Sequence, residues 1–357
     1  MFIPFRPVLY PESVAAMYGE PSRLSSDRGR SNGTPVSVDQ LYAADAPGAF
    51  QPADDRVERW IAAGTMVRNR EDVLVRYVIE RPNQTPLVGL VGVMNLAETT
   101  ILPHEATTPS EVAARMADIE RAGALLEPIM VMAAPGFGPM FDGGSLLRVV
   151  TYGDETHSIY ALKPEDVQWP GESNDREFVI ADGHHRVQAI LQHAENSGNA
   201  PLGLMIAVDT RTQGMTVEPQ HRVLAGLIPK RPMTSDHFDV LPFSLADGVP
   251  RGAVGIITKF DAWLMSPTFD AGISAAVLTE YVAPLLGLAV SGVATRERDA
   301  VAEMAKGAAA AAIMGPITTD VVITEARGGR LLPHKATSFS PKVAVGLVGA
   351  LLGGYAS

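Results

Sequence analysis

The segment Asp182-Gly183-His184-His185-Arg186 gathers a carboxylate, two imidazoles and a guanidinium around one glycine. Its flanks predict its geometry. Glu177 to Ala181 reads as a buried strand, and Arg186 to His193 as a helix with Val187, Ile190 and Leu191 on its inner face. The segment is then a strand end, a tight glycine turn and a helix start. A helix start presents N–H groups and partial positive charge, which suits an anion. Gly183, His184 and Arg186 are the candidate phosphate binders, since arginine can grip two phosphate oxygens at once. Asp182 suits a magnesium ion, which takes carboxylate and phosphate oxygens together. Asp182 and His185 are candidate catalytic residues. The plain alternative is a helix cap with a surface arginine, in which the doubled histidine has no part.

Of eight histidines, four precede a charged residue: His104-Glu105, His185-Arg186, His221-Arg222 and His334-Lys335. Such pairs in loops make poor core residues, and their shared style suggests one site. Glu105 is the candidate general base, because phosphoryl transfer to a hydroxyl needs an acceptor for its proton. It could instead pair with a nearby cation. His221, Arg222, Lys335 and Ser338 are candidate phosphate contacts, with Arg115 as a further one and Lys342 in the same LPHKATSFSPK stretch. Metal-assisted hydrolysis is a competing chemistry, but no His-x-His or HExxH spacing occurs.

The elements that must position these residues alternate along the chain. Residues 20–55 are polar and read as a long loop. Asp54 or Asp55 can cap a helix carrying Val57, Trp60 and Ile61, ended by Gly64. Thr108-Pro109-Ser110-Glu111 predicts a capping box and a helix to about Leu126. Strands are expected at Val73–Ile79, Leu87–Met94, Ile129–Met132, Leu146–Tyr152, Ser158–Leu162, Leu204–Val208 and Ala310–Met314. Helices are expected near Ile273–Leu285 and Arg296–Lys306, with a short one opened by Thr318-Thr319-Asp320. The apolar run Val343–Gly354 is too short to span a bilayer and reads as a terminal helix or strand in the core. No internal repeat emerges. The interleaving indicates an α/β or mixed α+β fold.

Composition narrows the partners. The 357 residues are 46% hydrophobic, which fits a globular chain with a large core. A net charge of −11 without any basic block disfavours nucleic acid and leaves a nucleotide-sized anion open. The absence of cysteine excludes thiolate chemistry and fits a reducing cytoplasm. MFIPFRPVLYPES does not read as a signal peptide. The expected partners are a small-molecule substrate and a nucleotide, with no membrane; self-association is compatible with the sequence.

FVIADGHHRVQAIL, ILPHEATTP, VEPQHRVL and LLPHKATSFSPKVAVGL, in that order, resemble the bacterial and archaeal domain-of-unknown-function family ten-fifteen, over nearly the whole chain. PFRPVLY and DDRVERWIAAGTMVRN fit as well. The DGHHR of that family is in turn similar to the nucleotide-binding motif of the ParB/sulfiredoxin superfamily, which includes partition CTPases, sulfiredoxins and free-serine kinases. The resemblance implies a ParB/sulfiredoxin-like nucleotide-binding core with a mixed sheet and flanking helices, at residues 86–230. Segments 1–85 and 231–357 would elaborate it. It also implies phosphate binding by Asp182, Gly183, His185 and Arg186, with Glu105 as base. The implied activity is a nucleotide-dependent, kinase-like phosphotransferase acting on a small hydroxyl compound such as serine or phosphoserine. Its cofactors would be Mg2+ and ADP, ATP or CTP. A nucleotide-binding regulatory protein of partition type, without catalysis, is the alternative. Two positions depart from the family: PSRLSSDRGRSNG replaces a block that usually reads PPYDV, and Ala106 stands where a basic residue is expected.

Overall fold

The computed structural model describes residues 2–10, 56–64, 66–133, 138–170, 177–210, 214–232, 236–269 and 272–352. The expected loop 20–55, the caps Asp54 and Asp55, and the divergent PSRLSSDRGRSNG lie outside them. The chain divides into two units, one from residues 1–103, 107–215 and 341–357, the other from 104–106 and 216–340.

The first unit holds an eight-stranded sheet. Its strands are β1 (Leu74–Glu80), β2 (Leu87–Asn95), β3 (Thr100–Leu102), β4 (Ile129–Ala133), β5 (Ser145–Tyr152), β6 (Glu155–Leu162), β7 (Glu177–Asp182) and β8 (Leu202–Asp209), in the order β3-β7-β4-β8-β2-β1-β6-β5. The sheet is mixed: β7 is parallel to β3 and β8 to β4, and the other neighbours are antiparallel. The central strand β4 is buried along its whole length, as its unbroken apolar run requires. The edge strand β5 is largely exposed. The flanking helices are α1 (Arg56–Ala62), α2 (Pro109–Ala122) and α3 (His184–Ser197), and α2 packs against α3.

Two expectations for this unit need correction. The helix expected to reach Leu126 stops at Ala122, because Gly123 turns left-handed at φ 65°. Ala124–Leu125 then pairs with Ala350–Leu351 as a short antiparallel ladder. As far as Leu352, the apolar C-terminal run is mostly buried and mostly irregular. Its backbone bonds go to scattered partners instead, among them Leu126, Val8 and Gly123. Gly346, at φ 75°, breaks regular continuation.

The second unit holds a six-stranded, wholly antiparallel sheet. Its strands are β9 (His221–Ala225), β10 (Phe238–Pro242), β11 (Val254–Ile257), β12 (Ala262–Pro267), β13 (Ala289–Ala294) and β14 (Ala310–Met314), in the order β10-β12-β11-β14-β9-β13. The expected strand at Ala310–Met314 forms; Ala311 and Ile313 make a small core with Ala300. The expected helix near Ile273–Leu285 forms as α4 (Ser274–Val277), a π turn over Leu278–Val282, and α5 (Ala283–Leu286). Pro284 lacks the N–H that a continuous α ladder needs there. Two more helices follow, α6 (Glu297–Ala302) and α7 (Thr319–Arg327). Among the described residues, no helix is long and apolar enough to cross a membrane.

One buried chain of hydrogen bonds ties the C-terminal segment to the first sheet. The Ala344 N–H donates to the Tyr77 hydroxyl at 3.2 Å. That hydroxyl keeps its own proton for His157 Nδ1, 2.8 Å away, in the tautomer that leaves that nitrogen bare. Burial pushes the Tyr77 phenol far above its ordinary range, so it stays a neutral donor. Tyr77→Phe strands both partners and is expected to cost about 1–3 kcal/mol in a denaturant titration. An unchanged midpoint would show that the tether contributes nothing.

Candidate functional site

The first unit delivers the DGHHR segment as a strand end, a glycine turn and a helix start. β7 ends at Asp182, Gly183 takes φ 107° and ψ 24°, and α3 opens at His184. A Cβ at Gly183 would lie 3.1 Å from the Arg186 guanidinium, so a side chain there meets both a strained backbone and the arginine. The Val187 N–H closes the first helical turn on the Gly183 carbonyl at 3.0 Å.

Asp182 holds a cation on each oxygen. Lys342 Nζ donates to Oδ1 at 2.9 Å, and Arg186 Nη2 donates to Oδ2 at 2.7 Å. Arg186 spends its other donors inward. Nη1 donates to the carbonyls of Glu127 and Pro128, both at 2.8 Å, and Nη2 lies 3.2 Å from the Glu127 carboxylate. His184 is buried.

His185 joins this turn to the start of α2. Its Nε2 lies 2.9 Å from Glu111 Oε2 and 3.2 Å from the Thr108 backbone nitrogen. One nitrogen cannot serve both: bare, it accepts the Thr108 N–H; protonated, it donates to Glu111. The expected capping box does not form. The Thr108 hydroxyl donates to the Glu111 carboxylate at 3.0 Å instead of accepting from the backbone. Two helix starts, α2 and α3, thus meet at His185, and their dipoles add positive potential there. Arg115, on α2, pairs with Asp118 at 3.2 Å and lines a pocket of about 30 Å³ with Arg186.

The second unit gathers Glu105, Arg222 and Lys335. Glu105 Oε2 accepts the Lys335 N–H at 3.1 Å; Oε1 accepts the Thr337 N–H at 3.1 Å and its hydroxyl at 2.9 Å. His104, fully buried, lies 2.9 Å from that hydroxyl through Nε2. Arg222 is 2% exposed and donates to the carbonyls of Gln220 and His334 at 3.2 and 3.0 Å. Burial lowers its pKa, and the Glu105 charge works against that. His221 sits in β9, where its Nδ1 accepts the Met314 N–H at 3.1 Å. Ser338 lies opposite Glu218 in a short ladder of Thr337–Ser340 on Thr216–Pro219.

The model of the family described as "Protein of unknown function (DUF1015)" matches residues 34–263. This chain belongs to that family. No curated protein matches it. Among solved structures, this DUF1015 chain is similar to a conserved hypothetical protein from Pyrococcus furiosus, at 16% identity over 71% of this chain and 93% of that one, with a TM-score of 0.41. It is similar to a free serine kinase in complex with AMP, at 16% identity over 72% and 92%, with a TM-score of 0.41. It is also similar to SbnI from Staphylococcus aureus, at 12% identity over 71% and 85%, with a TM-score of 0.39.

Sequence reasoning on this DUF1015 chain missed Glu127, Glu111 and Thr337. Glu127 offers little signal beyond a carboxylate before Pro128. The Thr337 signal was present: Leu102–Thr107 and Leu332–Thr337 read LPHEAT and LPHKAT, a near-duplicate too short to register as a structural repeat.

Burial alone would raise the Asp182 pKa. The Lys342 ammonium and the Arg186 guanidinium outweigh it and hold the carboxyl far below the usual range. A depressed carboxylate stabilises the fold above about pH 4, and that contribution fades as the pH falls further. Asp182→Asn is expected to cost on the order of 1 kcal/mol at pH 7, a figure discounted for solvent screening of a partly exposed side chain. In urea melts the gap between variant and parent should close below about pH 4; a gap that widened there would contradict the assignment.

Burial, with Arg222 adding to it, pushes the His221 imidazole down to about 4. The unfolded chain therefore binds more protons than the folded one between that value and about 6.5, so stability falls as pH drops through this window. The expected loss is on the order of 3 kcal/mol. His221→Asn should flatten this part of the profile, and an unaltered slope would assign it to another group.

Proposed function

We propose that this protein is a nucleotide-dependent, kinase-like phosphotransferase acting on a small hydroxyl compound of the serine or phosphoserine kind. One observation carries the reading. At a glycine turn where two helix starts meet, two cations converge on a single carboxylate. Glu127 and Glu111 offset those cations, so the attraction for an anion comes from the two helix starts and from the Lys342 donors left over, and a polyphosphate is the ligand that fits them.

In this reading the core at residues 86–230 is ParB/sulfiredoxin-like, and residues 1–85 and 231–357 elaborate it. The turn residues Gly183, His184, His185 and Arg186 shape the phosphate site. Lys342 reaches toward the phosphates with the donors that Asp182 leaves over. Arg115 in the first unit, and His221, Lys335 and Ser338 in the second, are the candidate nucleotide contacts, with Arg222 acting through Lys335. Glu105 accepts the hydroxyl proton as the phosphoryl group moves to the substrate oxygen, and the nucleoside diphosphate departs. The residues fit a polyphosphate better than a bare metal. Both Asp182 oxygens already hold a cation, so a magnesium ion would share their remaining lone pairs and arrive with the nucleotide. The nucleotide is ADP, ATP or CTP, and the setting is cytoplasmic.

A thermal-shift series with each nucleotide and magnesium tests the reading. The melting temperature is expected to rise with at least one of them. Lys342→Met should remove most of that rise and lower the ligand-free melt slightly, since it breaks one of the two Asp182 pairs. Arg186→Ala should lose both. Glu105→Gln should keep the rise and lose phosphoryl transfer to serine-like acceptors. If no nucleotide moves the melt at millimolar concentration, the proposal fails. If a nucleotide binds but no acceptor is phosphorylated, the partition-type regulatory role replaces it.

A further inference from the structure

The peptide between His334 and Lys335 is gripped at both ends. Arg222 donates to its carbonyl at 3.0 Å, and Glu105 accepts its N–H at 3.1 Å. Within this grip Lys335 has φ 54°. A left-handed backbone crowds the Cβ of a lysine. Among the described residues only one other non-glycine has positive φ, Asn83, and asparagine tolerates that region. Strain of this kind persists only where the surroundings over-determine it. Here the surroundings are an ionic pair of opposite sign on either side of one peptide plane.

The near-duplicate hexapeptide sharpens the point. LPHEAT and LPHKAT differ only at Glu105 and Lys335. The copies run parallel, with Glu105 bridged to Leu332 and the Leu332 N–H donating to the His104 carbonyl at 2.7 Å. The carboxylate of one copy thus fixes the backbone of the residue that replaces it in the other. The Lys335 side chain is left exposed, whereas Arg222 is too deeply buried to face a ligand.

We propose that Arg222 and Glu105 are positioning residues: together they hold Lys335 left-handed, so that its ammonium, and not the Arg222 guanidinium, meets the phosphates. The phosphate half of this rests on the phosphotransferase reading; the backbone half does not.

Two measurements separate the halves. The first is ligand-free melting of Lys335→Gly in three backgrounds. In the parent, glycine relieves the strain and should raise the melting temperature by about 2 °C. In Arg222→Met or Glu105→Ala the grip is already broken, because neither side chain keeps a donor or acceptor for the peptide, and the gain should vanish. The Glu105→Ala background decides the matter if Arg222→Met does not fold. An equal gain in every background, or a loss in the parent, overturns the positioning role. The second is the affinity for ADP with magnesium and for inorganic tripolyphosphate. Arg222→Met and Lys335→Met should each weaken binding about tenfold, and the double variant no more than either, because one acts through the other. Additive losses would mean that Arg222 touches phosphate itself, which also overturns the proposal. If the parent binds none of these probes, the phosphotransferase reading fails and the phosphate half falls with it, while the melting series still decides the grip.

Discussion

The first unit depends on the two ion pairs of Asp182. One partner, Arg186, lies one helical turn along α3; the other, Lys342, comes from the C-terminal segment. Through Arg186 the carboxylate also fixes the Glu127-Pro128 carbonyls ahead of β4. Three distant stretches of chain therefore meet at one side chain. The gross attraction of such a pair is about 4 kcal/mol at an effective dielectric of 20. Desolvation cancels much of it. What remains is chiefly geometric. Two cations and two carboxylates, Asp182 and Glu127, balance in charge and stand in fixed positions where a helix begins.

The Tyr77 tether serves the same end from a neutral direction. Ala344 lies two residues beyond Lys342, and its N–H is held by a phenol in the sheet. The segment carrying Lys342 thus has a rigid anchor close behind it, and holding it costs less entropy than holding a free tail would. Buried Gly349 lets that segment pass close to Leu126, since a Cβ there would come within 2.8 Å of the leucine side chain. The irregular course of residues 343–349 follows from these contacts and from no local preference.

Much of this was legible in the sequence. The DGHHR turn was readable because an unbroken apolar run, one glycine and an amphipathic stretch each specify local geometry without tertiary help. The central strands were readable for the same reason. The strands between residues 216 and 267 were not: they are four to six residues long, and prolines end three of them, at 219, 242 and 267. Short runs of that kind carry no clear period. The capping box failed for a different reason. Thr108 and Glu111 have the right spacing, but His185, some seventy-seven residues away, lies at the Thr108 N–H. A tertiary partner overrode a local motif. The roles of Glu105 and Arg222 were hidden likewise, because both bind backbone groups of a loop more than a hundred residues distant.

The number of donors decides which cation can meet a ligand. A guanidinium has five N–H donors. Arg186 commits its two terminal nitrogens to two carbonyls and two carboxylates, and its side chain is 12% exposed. To grip a phosphate it would have to surrender bonds that hold the fold. Lys342 has three donors, commits one to Asp182, and is 39% exposed. It can add a phosphate oxygen without giving anything up. The arginine of the motif is thus the framework that fixes the carboxylate, and the lysine from the C-terminal segment is the group with capacity to spare. Arg222 and Lys335 repeat that division in the second unit, with a buried guanidinium on backbone carbonyls and an exposed lysine one residue along from the His334 carbonyl it holds. In both places arginine supplies geometry through many fixed bonds, and lysine supplies charge through a mobile point. That is the use to which the physical chemistry of each side chain is suited.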